Sequence, residues 1–401
     1  MTERKAEKST NRIFGALEAA RWDLGLAAAT VGLVLFGLVM VYSASGFQEK
    51  PYRFLVNQLQ WAVLGFVVMG VLRRVDYHRY AQPSVVYGLL GVCVVLLVAV
   101  LFFPARNGAH RWMSIAGFSA QPSELAKIAL ILFLARFLAQ REEEGEIGSF
   151  GMTVLPACVI AGILAALIMK EPDLGTTLML GVIFVALAFV AGVPMRHLLK
   201  LAPLALPVAY LFIFRVGWRW DRVLTFLHPD RDPQGRGFQV MQSLIAVGSG
   251  GVHGLGLGES KQKLYYLPEP HADFIFAVIA EELGFVGAAS VVLAFGFFLW
   301  RGLRASRRAP ERFGQLLGLG LTTMIMAQAF FNISVALSLV PTKGIPLPFI
   351  SAGGSSLVLM LAAVGMLLNL SEQGAERERG REGLKGGVNG WGAARREPRV
   401  A

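Results

Sequence analysis

Residues 261–285, KQKLYYLPEPHADFIFAVIAEELGF, place His271 and Asp273 at the mouth of a long apolar run and Glu281 and Glu282 inside it. Ionisable groups at membrane depth are costly and face a protein interior or a wet cavity. Three carboxylates in one such run need compensating contacts, and the chemistry is expected there. Asp273 has two readings: a cap for the helix that follows, or a general base taking a proton from an attacking hydroxyl. Taken alone, the residues weigh these evenly. A helix N-terminus lowers a carboxylate pKa, whereas burial or a neighbouring carboxylate raises it. Glu281 and Glu282 lie two turns deeper, about 12–14 Å along the helix axis. They are expected to be structural, paired with Lys127 or another buried cation, with a site-lining role second. His271 is expected to support Asp273.

The elements that must hold these groups are membrane helices. The 401 residues are 55% hydrophobic and 16% charged, with a mean hydropathy of +0.55; soluble domains are about a quarter charged. A helix crossing the hydrocarbon needs about 20 apolar residues. About ten runs qualify: 23–43, 55–73, 84–103, 121–139, 152–170, 174–193, 198–216, 274–300, 315–340 and 347–370. The fold class is an all-α integral membrane protein. Only Glu171, Pro172 and Asp173 separate the runs at 152–170 and 174–193, and a re-entrant segment there would change the count.

Lysine and arginine in short loops set orientation. Arg73, Arg74, Arg301, Arg304, Arg307 and Arg308 fall on one side with both termini, whereas the other side carries mainly Lys50, Arg53, Arg106 and Arg111. The expected organisation is a cytoplasmic segment 1–22, a polytopic domain 23–371 and a cytoplasmic tail 372–401. A large outer loop, 217–272, separates the seventh and eighth helices. The tail is Gly-, Arg- and Glu-rich and is expected to be disordered. The net charge of +11 follows from this topology and from anionic lipid headgroups, with no nucleic acid required. Cys93 and Cys158 lie in apolar runs and read as small buried hydrophobes.

So long a loop is more than a connector. Residues 237–247 have the spacing of a short helix lying at the membrane surface. The glycines between 248 and 258 match neither GxGxxG nor GxxxxGK[ST], which sets nucleotide binding aside. Arg111, Arg222, Lys261 and Lys263 are the outer-face cations able to grip phosphate oxygens; each alone reads more readily as a solvated loop charge. Lys127 lies within an apolar helix, to snorkel or to meet a buried partner. Glu171 and Asp173 offer oxygens to a divalent cation such as Mg or Mn, with helix capping the preferred reading. Ser351, Gly353 and Gly354 follow two prolines and read as a break in the last helix that lines the substrate cavity.

Five motifs, LPEPHADFIFAVIAEELG (267–284), QPSELAK (121–127), EPDLGTT (171–177), DPQGRGFQVMQSLIAVGSGG (232–251) and GIPLPFISAGGSS (344–356), together resemble the SEDS family. The resemblance spans residues 23–371 in order. It implies ten transmembrane helices with the large outer loop before the eighth. It further implies polymerisation of lipid II, an undecaprenyl-pyrophosphate-linked disaccharide-pentapeptide, with Asp273 the catalytic aspartate. Arg111 falls at a family-typical position. Two departures are present: Ala272 where HTDFIF is usual, and Ser351-Ala352-Gly353-Gly354 where SYGG is usual. The second puts a role for an aromatic hydroxyl in doubt; neither removes a carboxylate or a glycine. The charged N-terminus, the tail and PTKGIPLPFIS are more similar to the cell-division branch than to the elongation branch. Partners implied are a class B penicillin-binding protein, a single-pass transpeptidase, and other division proteins. The location implied is the cytoplasmic (inner) membrane.

In such a reaction a sugar hydroxyl attacks an anomeric carbon while a pyrophosphate-lipid departs. The hydroxyl needs a base, and the diphosphate needs positive charge or a metal. Pyrophosphate leaves without much protonation, so one base and a cationic cradle suffice, unlike the paired carboxyl groups of glycoside hydrolysis. No cofactor is required beyond a possible divalent cation, and no spacing is zinc-like. The alternatives are a lipid II flippase, an elongation-type polymerase and a non-catalytic scaffold. No inverted repeat relates the halves, which weighs against transport.

Overall fold

The computed structural model describes the chain apart from residues 1–22, 47–50, 106–107, 116–117, 202, 204–206, 208–209, 211–216, 232–236, 265, 268 and 395–401. The described residues form α1 (Leu24–Ser45), α2 (Pro51–Arg74), α3 (Pro83–Ala99), α4 (Pro122–Glu143), α5 (Leu155–Lys170) and α6 (Leu174–Val190). These are followed by α7 (Met195–Leu199), α8 (Gly217–Leu227), α9 (Phe238–Ser249), α10 (Ile275–Arg308), α11 (Arg312–Ala336) and α12 (Gly354–Ala394). A small antiparallel hairpin, β1 (Met113–Ile115) with β2 (Phe118–Ala120), pairs Met113 with Ala120.

Among the described residues, 7 helices are long and apolar enough to cross a membrane: α1, α2, α3, α5, α10, α11 and α12. Helix α6 is apolar but has 17 residues. Helix α4 is long, but Glu124, Lys127 and Arg136 sit in its sequence, and it is buried at the centre of the bundle against α3, α6 and α11. The expected run at 198–216 lies mostly outside the described residues. Val56, Val63, Val67 and Val71 of α2 stay exposed and form an apolar outer face suited to lipid.

Helices α1 and α10 run antiparallel and are tied at both ends. At one pole Asp23 caps α1 through Leu26 N at 2.8 Å and takes Arg301 Nε at 2.9 Å. At the other, Ser43 Oγ donates to Glu282 at 2.6 Å. Helix α12 runs parallel to α2, with Gly354 against Trp61, Leu361 against Gly65 and Gly365 against Met69. The start of α1 and residue 371 of α12 meet at the same pole, where Asp23 N donates to Ser371 Oγ at 3.1 Å.

Helix α10 is broken at Gly284, whose φ of 66° and ψ of −165° suit only glycine. The glycine-rich segment 250–256 fills the break with backbone. Leu255 N and Gly256 N donate to the carbonyls of Glu281 and Glu282 at 3.0 and 2.9 Å, and Phe285 N donates to Gly251 O at 2.9 Å. A Cβ on Gly284 would lie 2.3 Å from Gly254 N, so the two backbones touch with no room for a side chain. These glycines serve close approach, not phosphate binding.

The expected helix at 237–247 forms as α9, with Val240, Ser243 and Ala246 turned inward and Ser243 Oγ bonded to Ala336 O at 2.7 Å. Two expectations are corrected. The last run was expected to be helical from 347 with a break at 351–356; instead α12 starts at Gly354. The residues before it are non-helical yet buried, because Pro346 and Pro348 bring no N–H to a helix. The tail, expected to lack structure from 372, continues as helix to Ala394.

Candidate active site

Asp273 sits two residues before α10, in a tight turn where Ala272 N and Asp273 N both donate to Glu269 O, at 3.0 and 3.2 Å. Three consecutive carbonyls of this turn are held from outside it. Ala352 N donates to His271 O at 2.9 Å. Ser351 Oγ donates to Ala272 O at 2.6 Å, and Asn332 Nδ2 to Asp273 O at 2.9 Å. Helix α10 has no side-chain cap and Phe274 occupies its N-cap position, so Asp273 is not spent on capping.

The carboxylate faces Gly344, where a Cβ would lie 2.9 Å from Oδ2. Gly344 is part of the wall of a cavity of about 240 Å³. Its lining combines the apolar Leu174, Leu178, Phe331 and Val340 with the cations Arg111, Arg222 and Lys343. Arg111 is held from behind. Its Nε donates to Glu171 O at 3.0 Å and its Nη2 to Pro172 O. Arg222, on α8, reaches Thr342 O at 3.3 Å.

Burial pushes the Asp273 carboxyl up to about 7; the charge of Glu269 adds to this, while Arg111 and Arg222 oppose it. Lys343 is lowered by burial, with Asp173 opposing the shift and Arg222 adding to it. Glu171 is fully buried, neither of its oxygens has a hydrogen-bond partner, and burial raises it to about 8.

Of the residues picked from sequence, Arg111 and Arg222 line this cavity, and Asp273 lies against Gly344 of its wall. Asp173 joins them at its wall, but its carboxylate caps α6 through Thr176 N at 3.1 Å and takes Gln121 Nε2 at 3.0 Å. Among the described residues no group of three or more His, Cys, Asp or Glu is placed to hold a metal.

Other assignments change. Lys127 pairs with Glu124 of its own helix at 2.7 Å and with Gln328 Oε1 at 2.7 Å, not with Glu281 or Glu282. At 1% exposure it cannot reach a ligand in the cavity; its network ends where Gln328 Nε2 holds Pro346 O at 3.1 Å. Lys263 is likewise buried, paired with Glu282 at 2.8 Å, and is not among the residues lining the cavity. Glu281 accepts from Ser260 Oγ and from Lys261 N at 2.9 Å. Both glutamates therefore fasten residues 260–263 to α10, Glu282 through a buried cation other than Lys127 and Glu281 through a hydroxyl and a backbone N–H. The Lys261 side chain is exposed and away from the cavity wall.

Ser351 is 3% exposed, and its hydroxyl is used up between Ala272 O and Leu347 N, so it lines nothing. Gly353 packs near Pro346, and Gly354 allows α12 to approach Trp61. His271 is buried with its ring edge on Phe54, 4.6 Å between centroids, and its Nε2 3.3 Å from Glu269. Its carbonyl, not its ring, braces the Asp273 turn. Sequence reading passed over Lys343 and Asn332. The signal for Lys343 was a lysine at the mouth of an apolar segment, on the same face as Asp273.

The chain matches the family described as "Cell cycle protein", FTSW_RODA_SPOVE, over residues 25–376. It is 42% identical over 363 residues to the probable peptidoglycan glycosyltransferase FtsW of Geobacter sulfurreducens (strain DL-1 / KN400), covering 88% of this chain and 96% of that one. It is 43% identical over 358 residues to stage V sporulation protein E of Bacillus subtilis (strain 168), covering 87% and 96%. A solved structure described as "Structural coordination of polymerization and crosslinking by a peptidoglycan synthase complex" superposes with a TM-score of 0.75 at 32% identity, over 88% of this chain and 98% of that one. Thermus thermophilus rod shape determining protein RodA superposes with a TM-score of 0.65 at 29% identity, over 87% and 96%. This chain is a multi-pass membrane protein of the FtsW/RodA/SpoVE family, the SEDS family.

Proposed function

We propose that this protein is a peptidoglycan glycosyltransferase that polymerises lipid II, with Asp273 as its general base. The observation that carries this is the placement of a carboxyl poised near neutrality across Gly344 from a cavity with a cationic and apolar lining. The acceptor sugar hydroxyl gives its proton to Asp273 as its oxygen attacks the donor's anomeric carbon. The bond from that carbon to the diphosphate oxygen breaks, and the prenyl diphosphate leaves as an anion. Arg111, Arg222 and Lys343 neutralise the departing charge. The apolar lining suits the first units of the prenyl chain. The relatives named FtsW support the division role, and the similarity to a chain of a peptidoglycan synthase complex supports a transpeptidase partner; the location proposed is the inner membrane, with both termini in the cytoplasm. Ten membrane crossings are proposed, the seventh at 198–216.

Polymerisation of labelled lipid II by the purified full chain with its cognate transpeptidase tests this reading. A chain that only flips lipid II leaves the label monomeric. Lys343→Ala loses one charge-assisted contact, worth about 1.5–3 kcal/mol. The apparent KM for lipid II should rise by about 10-fold or more, with saturated turnover less affected. An unchanged KM removes Lys343 from the cradle.

The pH profile is a separate check. A base must be ionised to act, so turnover should rise with pH through about 7 and then level. Glu269→Gln removes a negative charge beside Asp273, lowers its pKa and should move that limb to lower pH. A limb that stays put would mean that the group read by the profile is not Asp273.

A further inference from the structure

We infer that Asn332 is a positioning residue for the base, setting the distance between Asp273 and the loop that bears Lys343; this rests on the functional reading above. Asn332, on α11, is 1% exposed. Its amide spends one hydrogen on Asp273 O at 2.9 Å and the other on Ile345 O at 2.8 Å. Its Oδ1 accepts nothing. The contribution of this side chain is thus its two N–H groups, and flipping the amide would set oxygen against two carbonyls.

The two carbonyls belong to opposite sides of the reaction. Asp273 carries the base. Ile345 follows Gly344, which leaves room for the carboxylate, and Lys343, which lines the cavity. One planar amide therefore ties the proton acceptor to the cationic lining at a fixed spacing. Ser351 supports the same turn one residue earlier, and its own hydroxyl is aligned by Leu347 N at 2.8 Å. With His271 O held as well, the backbone on either side of Asp273 is pinned, leaving the base only its side-chain torsions. Alanine at 332 supplies neither donor, and aspartate would supply two acceptors beside a carboxylate.

The test uses the full chain with its transpeptidase and labelled lipid II, comparing wild type with Asn332→Ala, Asn332→Asp and Ser351→Ala. Asn369→Ala is the structural control. That amide is also buried and also serves two backbone groups, Tyr77 N at 3.0 Å and Arg73 O at 2.8 Å, but at the opposite pole. Misplacing a catalytic group by about 1 Å costs about 10²-fold in rate. Asn332→Ala is expected to lose about that much turnover per folded molecule, with its lipid II KM changed by less than about twofold. The acid limb of its pH profile should also shift, because the turn that fixes the surroundings of the carboxylate is released. Asn369→Ala should lower thermal stability and leave turnover per folded molecule intact.

Wild-type turnover in both Asn332→Ala and Ser351→Ala would overturn the inference, as would a loss expressed wholly in KM. If Asn332→Ala does not fold, Ser351→Ala decides, since it removes a single hydroxyl; about tenfold slower saturated turnover supports the clamp and none refutes it. A silent wild type overturns the functional reading and this inference with it. An active wild type with unaffected variants overturns this inference alone.

Discussion

Asp273→Asn should abolish glycan polymerisation, by about 10³-fold or more, while the protein remains folded and inserted. The amide is nearly isosteric, fits beside Gly344 and leaves all three held carbonyls in place. It also removes a group that folding disfavours when charged. Because the folded carboxyl titrates near 7, above its ordinary 3.8, its ionisation costs stability as pH rises through that window. At pH 8 the asparagine variant should therefore melt at or slightly above the wild-type midpoint. Gel-resolved polymer from labelled lipid II and a melting curve on the same preparation check both halves. Polymer from the variant would place the base elsewhere. A lost midpoint would make Asp273 a structural residue.

Lys263→Met should be the most destabilising of the charge substitutions. The ammonium is paired with Glu282 at 2.8 Å, and both side chains are nearly or fully buried. Removing one partner of a buried pair leaves the other charge uncompensated, at a cost of about 3–5 kcal/mol. Ser43 still donates to Glu282 at 2.6 Å, which offsets part of this. Lys263→Met combined with Glu282→Gln removes both charges and should recover most of the loss, which a melting series would reveal. The folded fraction of the single variant should bind lipid II with unchanged apparent affinity. Intact stability with a raised KM would return Lys263 to the phosphate cradle.

Different physics made different parts of this protein legible. Long apolar runs announce spans because lipid offers no hydrogen bonds, and so α1, α2, α3 and α11 fall where hydropathy puts them. Asp273 was visible for a related reason, as a charge standing where charge is expensive. Apolar composition misled at residues 345–353, which are as buried as a helix core yet follow no helical path. There, only Pro346 and Pro348 distinguished the two.

The partner of Lys127 was legible and missed. Glu124 lies three residues earlier, and side chains at that spacing share a helix face. By contrast, no local pattern could pair Lys263 with Glu282 or aim Asn332 at two carbonyls, because those contacts depend on how distant segments cross. The glycines of 250–256 show the same limit. Their composition suits a phosphate loop or a close backbone crossing equally well, and only the break at Gly284 decides between them.

The held turn also has a consequence for how the protein is made. The groups bracing Asp273 come later in the chain: Asn332 lies 59 positions downstream of its acceptor, and Ser351 lies 79 positions downstream of its own. At translation rates of about 5–20 residues per second, Asp273 is synthesised roughly 4–16 s before its last brace. During that interval the turn has carbonyls with no protein donor. The turn is therefore complete only once α11 and the segment through Ala352 are in place. Premature termination between residues 273 and 332 yields a chain with the aspartate but without the side chains that hold its turn.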